Sequence, residues 1–241
     1  MSNTKIEYVG KDLEAMDFAV NYHRWILEFI KPFLGKHLVE VGAGTGSFSE
    51  LLLETNPETL SLIEPSAMVN ELRKNDAIKK SAADIKIFST IFAEVADRIK
   101  TEQSPDSVIY INVLEHIEDD RLELETVHRT LREKGCVFIF VPALPILFSE
   151  FDKQIGHFRR YRKSELIDKC RNAGFKLLVS NYFDISGIIP WLVKYRLLKS
   201  KTMESGAVQF YDKYVVPVAK PLENFIAPPI GKNLLVVAQK I

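Results

Sequence analysis

Short apolar segments alternate with amphipathic segments along most of the chain. Short apolar runs between turn residues are typical of strands buried on both faces of a parallel sheet. The alternation therefore predicts an α/β fold with a doubly wound, mostly parallel, seven-stranded sheet. The predicted strands are His37–Val41, Thr59–Glu64, Ile85–Phe88, Ser107–Asn112, Cys136–Val141, Phe175–Ser180 and Leu234–Ala238.

Apolar residues recur at helical spacing between these strands. The first helix is predicted over about 12–34, where Pro32 and Gly35 end the pattern. Further helices are predicted over Ser47–Glu54, from Pro65 to about Lys80, over Asp119–Glu133 and over 163–173.

The connection from about 185 to 232 is too long for an ordinary loop and suggests a helical insertion with its own function. Its aromatic, basic and apolar residues suit a substrate lid, a dimer contact, a peripheral membrane contact or packing on the sheet edge. No run reaches the roughly 20 apolar residues that a membrane-spanning helix needs. We expect one domain over 1–241, as a monomer or a homodimer.

Composition narrows the class of protein. The chain is 46% hydrophobic and 27% charged, with 32 basic and 32 acidic residues, so it lacks the basic excess of a general nucleic-acid binder. Cys136 and Cys170 form no metal-binding motif, which predicts a reducing compartment and no metal. The first residues do not resemble a signal peptide. We expect a cytoplasmic protein, with the inner face of the membrane as an alternative location.

The strongest local signal is the glycine-rich turn of residues 39–46, VEVGAGTG, between a strand and a helix. Glycines permit a tight turn and a close ligand, and the helix start offers free N–H groups. Glu64 follows about 20 residues later, where a carboxylate can bind ribose hydroxyls. A dinucleotide fingerprint would place a third glycine at Ser47. Glu40, two residues before Gly42, favours a ligand with an ammonium group over a pyrophosphate.

The segments EVGAGTG, LIEPS and VIYINVLEHIEDD resemble three motifs of class I S-adenosylmethionine-dependent methyltransferases, over about residues 20–180. The resemblance implies S-adenosylmethionine as the cofactor. It places the methionine part along Gly42, Ala43 and Gly44, with Gly46 in the same turn. The other implied contacts are Glu40 at the amino group, Glu64 at the ribose, Pro65, Met68, Thr90 and Ile91 at the adenine, Asn112 and Val113 beside the sulfonium, and Tyr22 as part of a lid.

The acceptor site is predicted in the segment 151–162, FDKQIGHFRRYR, which follows the fifth strand. We predict His157 as general base or acceptor-positioning group, with Asp152 as its orienting partner. The acceptor would contact Arg159, Arg160 and Tyr161, since guanidinium groups suit anionic substrates. The alternative is that these arginines only form surface ion pairs. His116, after the fourth strand, competes for the role of base.

GHFRRYRKSEL and the tail that follows it resemble a narrower bacterial group of methyltransferases acting on sugars, glycolipids or similar metabolites. The sequence thus predicts methyl transfer to oxygen or nitrogen of a small-molecule, sugar or lipid-linked acceptor. Two other functions remain open. One is a catalytically silent methyltransferase-like binding subunit, and the other is an oxidoreductase that uses a nucleotide cofactor on a similar sheet.

Overall fold

A single sheet forms the centre of the protein. The computed structural model describes residues 19–241. The strands are β1 (His37–Val41), β2 (Thr59–Ile63), β3 (Asp84–Phe88), β4 (Ser107–Ile111), β5 (Cys136–Pro142), β6 (Phe175–Phe183) and β7 (Asn233–Lys240). The helices are α1 (Val20–Ile30), α2 (Ser47–Leu53), α3 (Val69–Leu72), α4 (Asp76–Lys80), α5 (Phe92–Gln103), α6 (Asp120–Thr130), α7 (Glu150–Gln154), α8 (Lys163–Asn172), α9 (Ile188–Trp191), α10 (Ser205–Phe210) and α11 (Val216–Phe225).

The strand order is β3-β2-β1-β4-β5-β7-β6. Strand β7 runs antiparallel to β5 and β6, and the other neighbouring pairs are parallel. This arrangement confirms the predicted doubly wound, mostly parallel sheet of seven strands. The order reverses between β1 and β4, whose carboxyl ends lie side by side. Ligands of such sheets bind in the crevice at this point.

Alternation along each strand divides the core between the two faces of the sheet. On β5, Val137, Ile139 and Val141 enter one apolar cluster, whereas Phe138 and Phe140 enter the other. All five side chains are fully buried. Burial of a side chain of this kind contributes about 1.5–3 kcal/mol, so both faces must be covered by helices.

Most predicted elements are present within a few residues of their predicted ends. The helix predicted from Pro65 to Lys80 is instead two short helices, α3 and α4, because the Asn75 side chain accepts hydrogen bonds from the N–H groups of Ala77 and Ile78 and starts a new helix. Helix α5 was not predicted. Of the helix predicted over 12–34, residues 12–18 lie outside the described part, and α1 with a following 3-10 turn covers the rest.

The insertion between β6 and β7 is helical. A π-helical segment, Leu192–Leu197, extends α9. A second one, Tyr211–Val215, joins α10 to α11. The carboxylate of Asp212 accepts hydrogen bonds from the N–H groups of Asn21 and Tyr22, which fixes the start of α1 to the insertion. Within residues 19–241, no helix is long and apolar enough to cross a bilayer.

Candidate active site

The turn after β1 brings backbone close to two other segments. Gly42 and Gly44 have φ angles of +76° and +57°, which favour glycine. A Cβ at Gly42 would lie 2.3 Å from Cγ2 of Val113, so only glycine allows this approach. A Cβ at Gly44 would meet nothing within 4 Å. Gly44 therefore presents bare backbone to open space, as a ligand-binding turn requires.

Glu64, directly after β2, faces this turn. Its Oε2 atom accepts a hydrogen bond of 2.9 Å from the N–H of Gly44, and its Oε1 atom accepts one of 2.8 Å from Ser66. The side chain is only 3% exposed. Each carboxylate oxygen has a second lone pair. The carboxylate is thus held in place and can still accept hydrogen bonds from a ligand's hydroxyl groups.

Glu40, on β1, is a second buried carboxyl at the same turn. Its Oε2 atom accepts a hydrogen bond from the hydroxyl of Ser49 on α2. Burial raises the pKa of Glu40 to about 8, and the opposing effect of the Ser49 hydrogen bond is smaller. The group is therefore largely protonated at neutral pH until a cation approaches it.

A cavity of about 320 Å³ opens over this turn, and we call it the glycine-turn cavity. Ten residues that the sequence assigned to the cofactor line it: Glu40, Gly42, Ala43, Gly44, Glu64, Pro65, Met68, Ile91, Asn112 and Val113. The lining also includes residues that were not predicted, among them His23, Thr45, Ser47, Phe48, Phe92 and Glu123.

Three residues predicted at the cofactor lie elsewhere. A Cβ at Gly46 would lie 2.9 Å from Leu72, so Gly46 allows close packing rather than ligand contact. The hydroxyl of Thr90 donates to the carboxylate of Glu94 outside the cavity. Tyr22 lines a different cavity.

The neighbour of Tyr22 on α1, His23, faces the glycine-turn cavity instead and packs edge-on against Phe48. Burial lowers the pKa of His23 to about 4, so its ring is neutral. The sequence showed an aromatic α1 but not which of its side chains faces the turn. Trp25 is 1% exposed and packs against Phe183 in the core.

A second cavity of about 240 Å³ lies beside the first, and we call it the histidine cavity. Asn112 and His116 line both cavities. Asn112 has a φ of 53° at the end of β4, and its N–H donates to the carbonyl of Phe140. The carboxyl end of β4 therefore forms the junction between the two cavities.

His157 lines the histidine cavity, and its Nδ1 atom lies 3.1 Å from Oδ1 of Asp152. Burial lowers the pKa of His157 below its usual range, against the opposing effect of Asp152. Burial by itself would raise the pKa of Asp152, but the His157 hydrogen bond and the charge of Arg160 outweigh it and lower this pKa. An ionised Asp152 accepts the Nδ1 proton of a neutral His157, whose Nε2 atom keeps its lone pair.

Asp152 is held on several sides. Ser149 donates to its Oδ2 atom from both backbone and hydroxyl, in a capping box at the start of α7. Arg160 donates to Oδ1 from Nε at 2.9 Å and from a terminal nitrogen at 2.8 Å. The guanidinium of Arg160 also lies 4.4 Å from the ring centre of Trp191 and lines the cavity. Asp152 and Arg160 thus hold the ring of His157 in a fixed orientation.

Arg159 and Tyr161 lie outside both cavities, contrary to the predicted substrate contacts. Arg159 pairs with Asp120 at 2.7 Å, and the Tyr161 hydroxyl donates to the same carboxylate at 2.8 Å. Lys169 also pairs with Asp120. These contacts tie the segment to α6 and α8. Because Asp120 is buried, they differ from the surface ion pairs of the alternative.

Glu115 was not singled out in the sequence, yet it lies in the histidine cavity. Its side chain is fully buried, and within residues 19–241 neither carboxylate oxygen has a hydrogen-bond partner. Burial raises the pKa of Glu115 to about 8. His116 and His157 are its neighbours, with ring centres 4.5 Å apart. Burial lowers the pKa of His116 to about 3, so this ring is neutral as well.

The insertion supplies much of the opposite wall of the histidine cavity. Lys232 pairs with Asp184 at 2.7 Å and lies 5.6 Å from the ring centres of Tyr22 and Tyr211. Asn233 donates to the Tyr22 hydroxyl at 2.6 Å. Three aromatic residues of the insertion, Trp191, Tyr195 and Tyr211, line the cavity, and we call them the aromatic wall. The length of the insertion suggested a function, but nothing in its sequence predicted this wall.

The chain was compared with known proteins. A family model described as a methyltransferase domain matches residues 16–180. A search of the curated proteins finds no match.

Solved structures similar to this chain include three that agree over nearly all of it. The Haloferax volcanii protein solved in complex with the Trm112 methyltransferase activator is 16% identical, with a TM-score of 0.61 and coverage of 96% of this chain and 94% of that one. An S-adenosylmethionine-dependent methyltransferase from Archaeoglobus fulgidus is 16% identical, with a TM-score of 0.59 and coverage of 95% and 98%. Phosphoethanolamine N-methyltransferase 2 of Haemonchus contortus, solved with S-adenosylmethionine, is 15% identical, with a TM-score of 0.58 and coverage of 93% and 56%. At such identities the likeness shows the fold alone.

Proposed function

Because this chain belongs to the methyltransferase-domain family and S-adenosylmethionine is its cofactor, we propose that it methylates an oxygen or nitrogen of an acceptor bound in the histidine cavity. The acceptor would be a small molecule, a sugar or a lipid-linked compound. The sulfonium of the cofactor supplies a methyl group that is already activated for displacement. The protein then has to align the acceptor with that group and remove a proton.

The meeting of the two cavities at Asn112 and His116 is the observation that carries this proposal. Methyl transfer needs the nucleophile about 3–3.5 Å from the methyl carbon and in line with the bond that breaks. Contiguous cavities on either side of the β4 end allow such an approach. A cofactor held on one side would present its methyl group to an acceptor held on the other.

Several features of the glycine-turn cavity fit S-adenosylmethionine. Gly44 leaves space beside its backbone, and Glu64 has lone pairs for two ribose hydroxyls. Glu40 is a buried carboxyl that an ammonium group would convert to its charged form. Met68 and Ile91 would border the adenine, and Val113 would lie near the sulfonium.

The acceptor would lie between His157 and the aromatic wall from the insertion. We propose that His157 either takes the proton of the acceptor or positions its nucleophilic atom, with Asp152 fixing the orientation of the ring. The neutral ring and the lone pair on Nε2 suit both roles. Arg160 would support an anionic group of the acceptor through its position in the cavity wall.

The outer surface of the insertion favours a lipid-linked acceptor. Its helices line the histidine cavity on the inside and carry a stripe of exposed apolar residues on the outside, at a spacing of about four residues. The stripe consists of Phe210, Tyr214, Val218, Leu222 and Phe225. Exposed basic side chains lie on the same insertion at Arg196, Lys199, Lys201 and Lys213, against one exposed acid, Glu204. We therefore propose that this surface contacts an anionic membrane surface.

A transfer assay with methyl-labelled S-adenosylmethionine tests the function. The purified chain would be incubated with separate lipid and aqueous extracts, and label would be followed by mass spectrometry alongside S-adenosylhomocysteine. Equal amounts of labelled product and S-adenosylhomocysteine, absent with Glu64→Ala, are expected. Binding of the cofactor without transfer to either extract would favour the silent binding subunit. Binding of NAD in its place would favour the oxidoreductase.

A further inference from the structure

Glu115 is a buried carboxyl that the proposed transfer does not use. It lies in the 3-10 turn after β4, is fully buried and lines the histidine cavity. Buried polar groups in folded proteins nearly always have partners, and a buried charge needs compensation. Within residues 19–241, neither of its carboxylate oxygens has a hydrogen-bond partner. The lone pairs of this carboxylate are therefore available to a group that enters the cavity.

The neighbours of Glu115 are nitrogen donors. Its Oε1 atom lies 3.8 Å from Nε2 of His157. One ligand atom from each of Glu115, His116 and His157 lies within 4.8 Å of the other two. Two imidazoles and a carboxylate are a known ligand set for catalytic zinc, with a further position open to substrate. Ligand atoms around tetrahedral zinc lie about 3.4 Å apart, so a small rotation of these side chains would close the site.

The surroundings of His157 match those of a metal ligand. Metal-binding histidines usually donate their other ring N–H to a carboxylate, which fixes the ring. Asp152 lies 3.1 Å from Nδ1 of His157 and is itself held by Ser149 and Arg160. The Nε2 atom is left to face Glu115.

We infer that Glu115, His116 and His157 bind a divalent transition-metal ion, with zinc favoured by the ligand set, and that its open position receives a hydroxyl oxygen of the acceptor. This inference rests on the proposed methyl transfer. The ion would lower the pKa of the acceptor hydroxyl. The acceptor O–H bond then breaks and its proton passes to water. The oxygen forms a bond to the methyl carbon as the carbon–sulfur bond breaks, and the bonding pair stays on sulfur to give S-adenosylhomocysteine.

The inference narrows the acceptor to one that offers a hydroxyl oxygen and assigns His157 the positioning role. An Nε2 atom that binds the ion cannot also accept the proton. Removal of the metal distinguishes His157 as a metal ligand from His157 as a base. If His157 acts only as a base, methyl transfer should be unchanged after the metal is chelated.

Direct metal binding tests the site. The full chain would be stripped with a chelator, checked for folding by circular dichroism, and titrated with Zn²⁺ and Co²⁺. We expect one ion per chain and a visible Co²⁺ absorption typical of low coordination. Glu115→Gln should weaken metal binding at least about 10-fold. Loss of a residue that only hydrogen-bonds to a metal ligand already costs about 10- to 100-fold in metal affinity. The control, His37→Gln, alters a histidine at the opposite end of β1 and should bind as the wild type does.

Two results would overturn the metal site: a folded wild-type chain that binds neither ion, or Glu115→Gln binding as tightly as wild type. Cofactor titration on the same samples separates this inference from the proposed function. Cofactor binding and transfer without metal would leave methyl transfer in place with His157 as base. Metal binding without transfer to any acceptor would retain the ion site and remove the proposed function.

Discussion

The backbone N–H of Gly44 donates a 2.9 Å hydrogen bond to the carboxylate of Glu64 and so joins the glycine turn to the end of β2. The two features that the sequence assigned to one cofactor therefore also support each other. Changes at Glu64 and at Gly44 should consequently affect both ligand binding and stability, for different physical reasons.

Glu64→Ala should lower cofactor affinity by more than 10-fold and reduce the free energy of unfolding by about 1–3 kcal/mol, because the N–H groups of Gly44 and Ser66 lose their acceptor. Gly44→Arg should also lower affinity, because its side chain enters the open space of the cavity, and the left-handed φ of +57° should cost about 1–2 kcal/mol of stability. Calorimetric titration and urea unfolding measure the two quantities. Glu71→Ala, at an exposed acid on α3, is the control. Unchanged affinity in both variants would contradict the assignment of the cavity.

Cofactor binding should release a proton from Glu40. Its pKa of about 8 leaves it about 90% protonated at pH 7, and a neighbouring ammonium favours the charged form and lowers that pKa. Binding at pH 7 should then release close to one proton, and release should vanish above about pH 9.5, where the group is already ionised. Titration calorimetry in two buffers of different ionisation enthalpy measures it. Glu40→Gln should abolish the release, and an unchanged value in that variant would refute the role.

His157→Ala should lower turnover by about 10²–10⁴-fold, the usual contribution of a general acid or base. Cofactor affinity should be unchanged, because His157 lines only the histidine cavity. Asp152→Asn should lower turnover too and also destabilise the fold by about 3–5 kcal/mol, since Arg160 would lose its buried counterion. Single-turnover assays with an identified acceptor, together with unfolding curves, measure both effects. A His157→Ala chain as active as wild type would exclude this residue from the reaction.

The adjacent arginines should behave differently. Arg160 lines the histidine cavity, whereas Arg159 pairs with the buried Asp120 on α6. Arg160→Lys should raise KM for an anionic acceptor, since lysine cannot reproduce the two bonds to Asp152. Arg159→Lys should change KM by less than about twofold, because Arg159 lies outside the histidine cavity. Steady-state kinetics distinguish them, and an equal effect of both changes would contradict the assignment.

The sequence predicted the sheet well because its strands are short apolar runs, each followed by turn residues. The lining of the glycine-turn cavity was predictable for a related reason. Gly42, Gly44 and Glu64 lie at strand ends, and the ends of parallel strands meet at one edge of the sheet. Their positions along the chain therefore define their positions in space.

The histidine cavity was harder to predict because the direction of each side chain decides which residues line it. Arg159 and Arg160 are neighbours in sequence, yet one faces Asp120 and the other Asp152. Tyr22 and His23 on α1 likewise face different cavities. Glu115 was overlooked because only tertiary structure shows that its carboxylate is buried among histidines.

The exposed stripe on α11 should govern binding to membranes. Leu222 and Phe225 are 66% and 88% exposed, and burying a side chain of this kind contributes about 1.5–3 kcal/mol. Leu222→Ser combined with Phe225→Ser should therefore weaken binding to anionic phospholipid vesicles at least about 10-fold in a flotation assay. Leu122→Ser removes an apolar side chain that is 54% exposed on α6, outside the insertion, and should have no effect. Binding should also weaken with added salt, because exposed basic groups are screened. Equal loss in both variants, or no vesicle binding by the wild-type chain, would show that this stripe does not contact membranes.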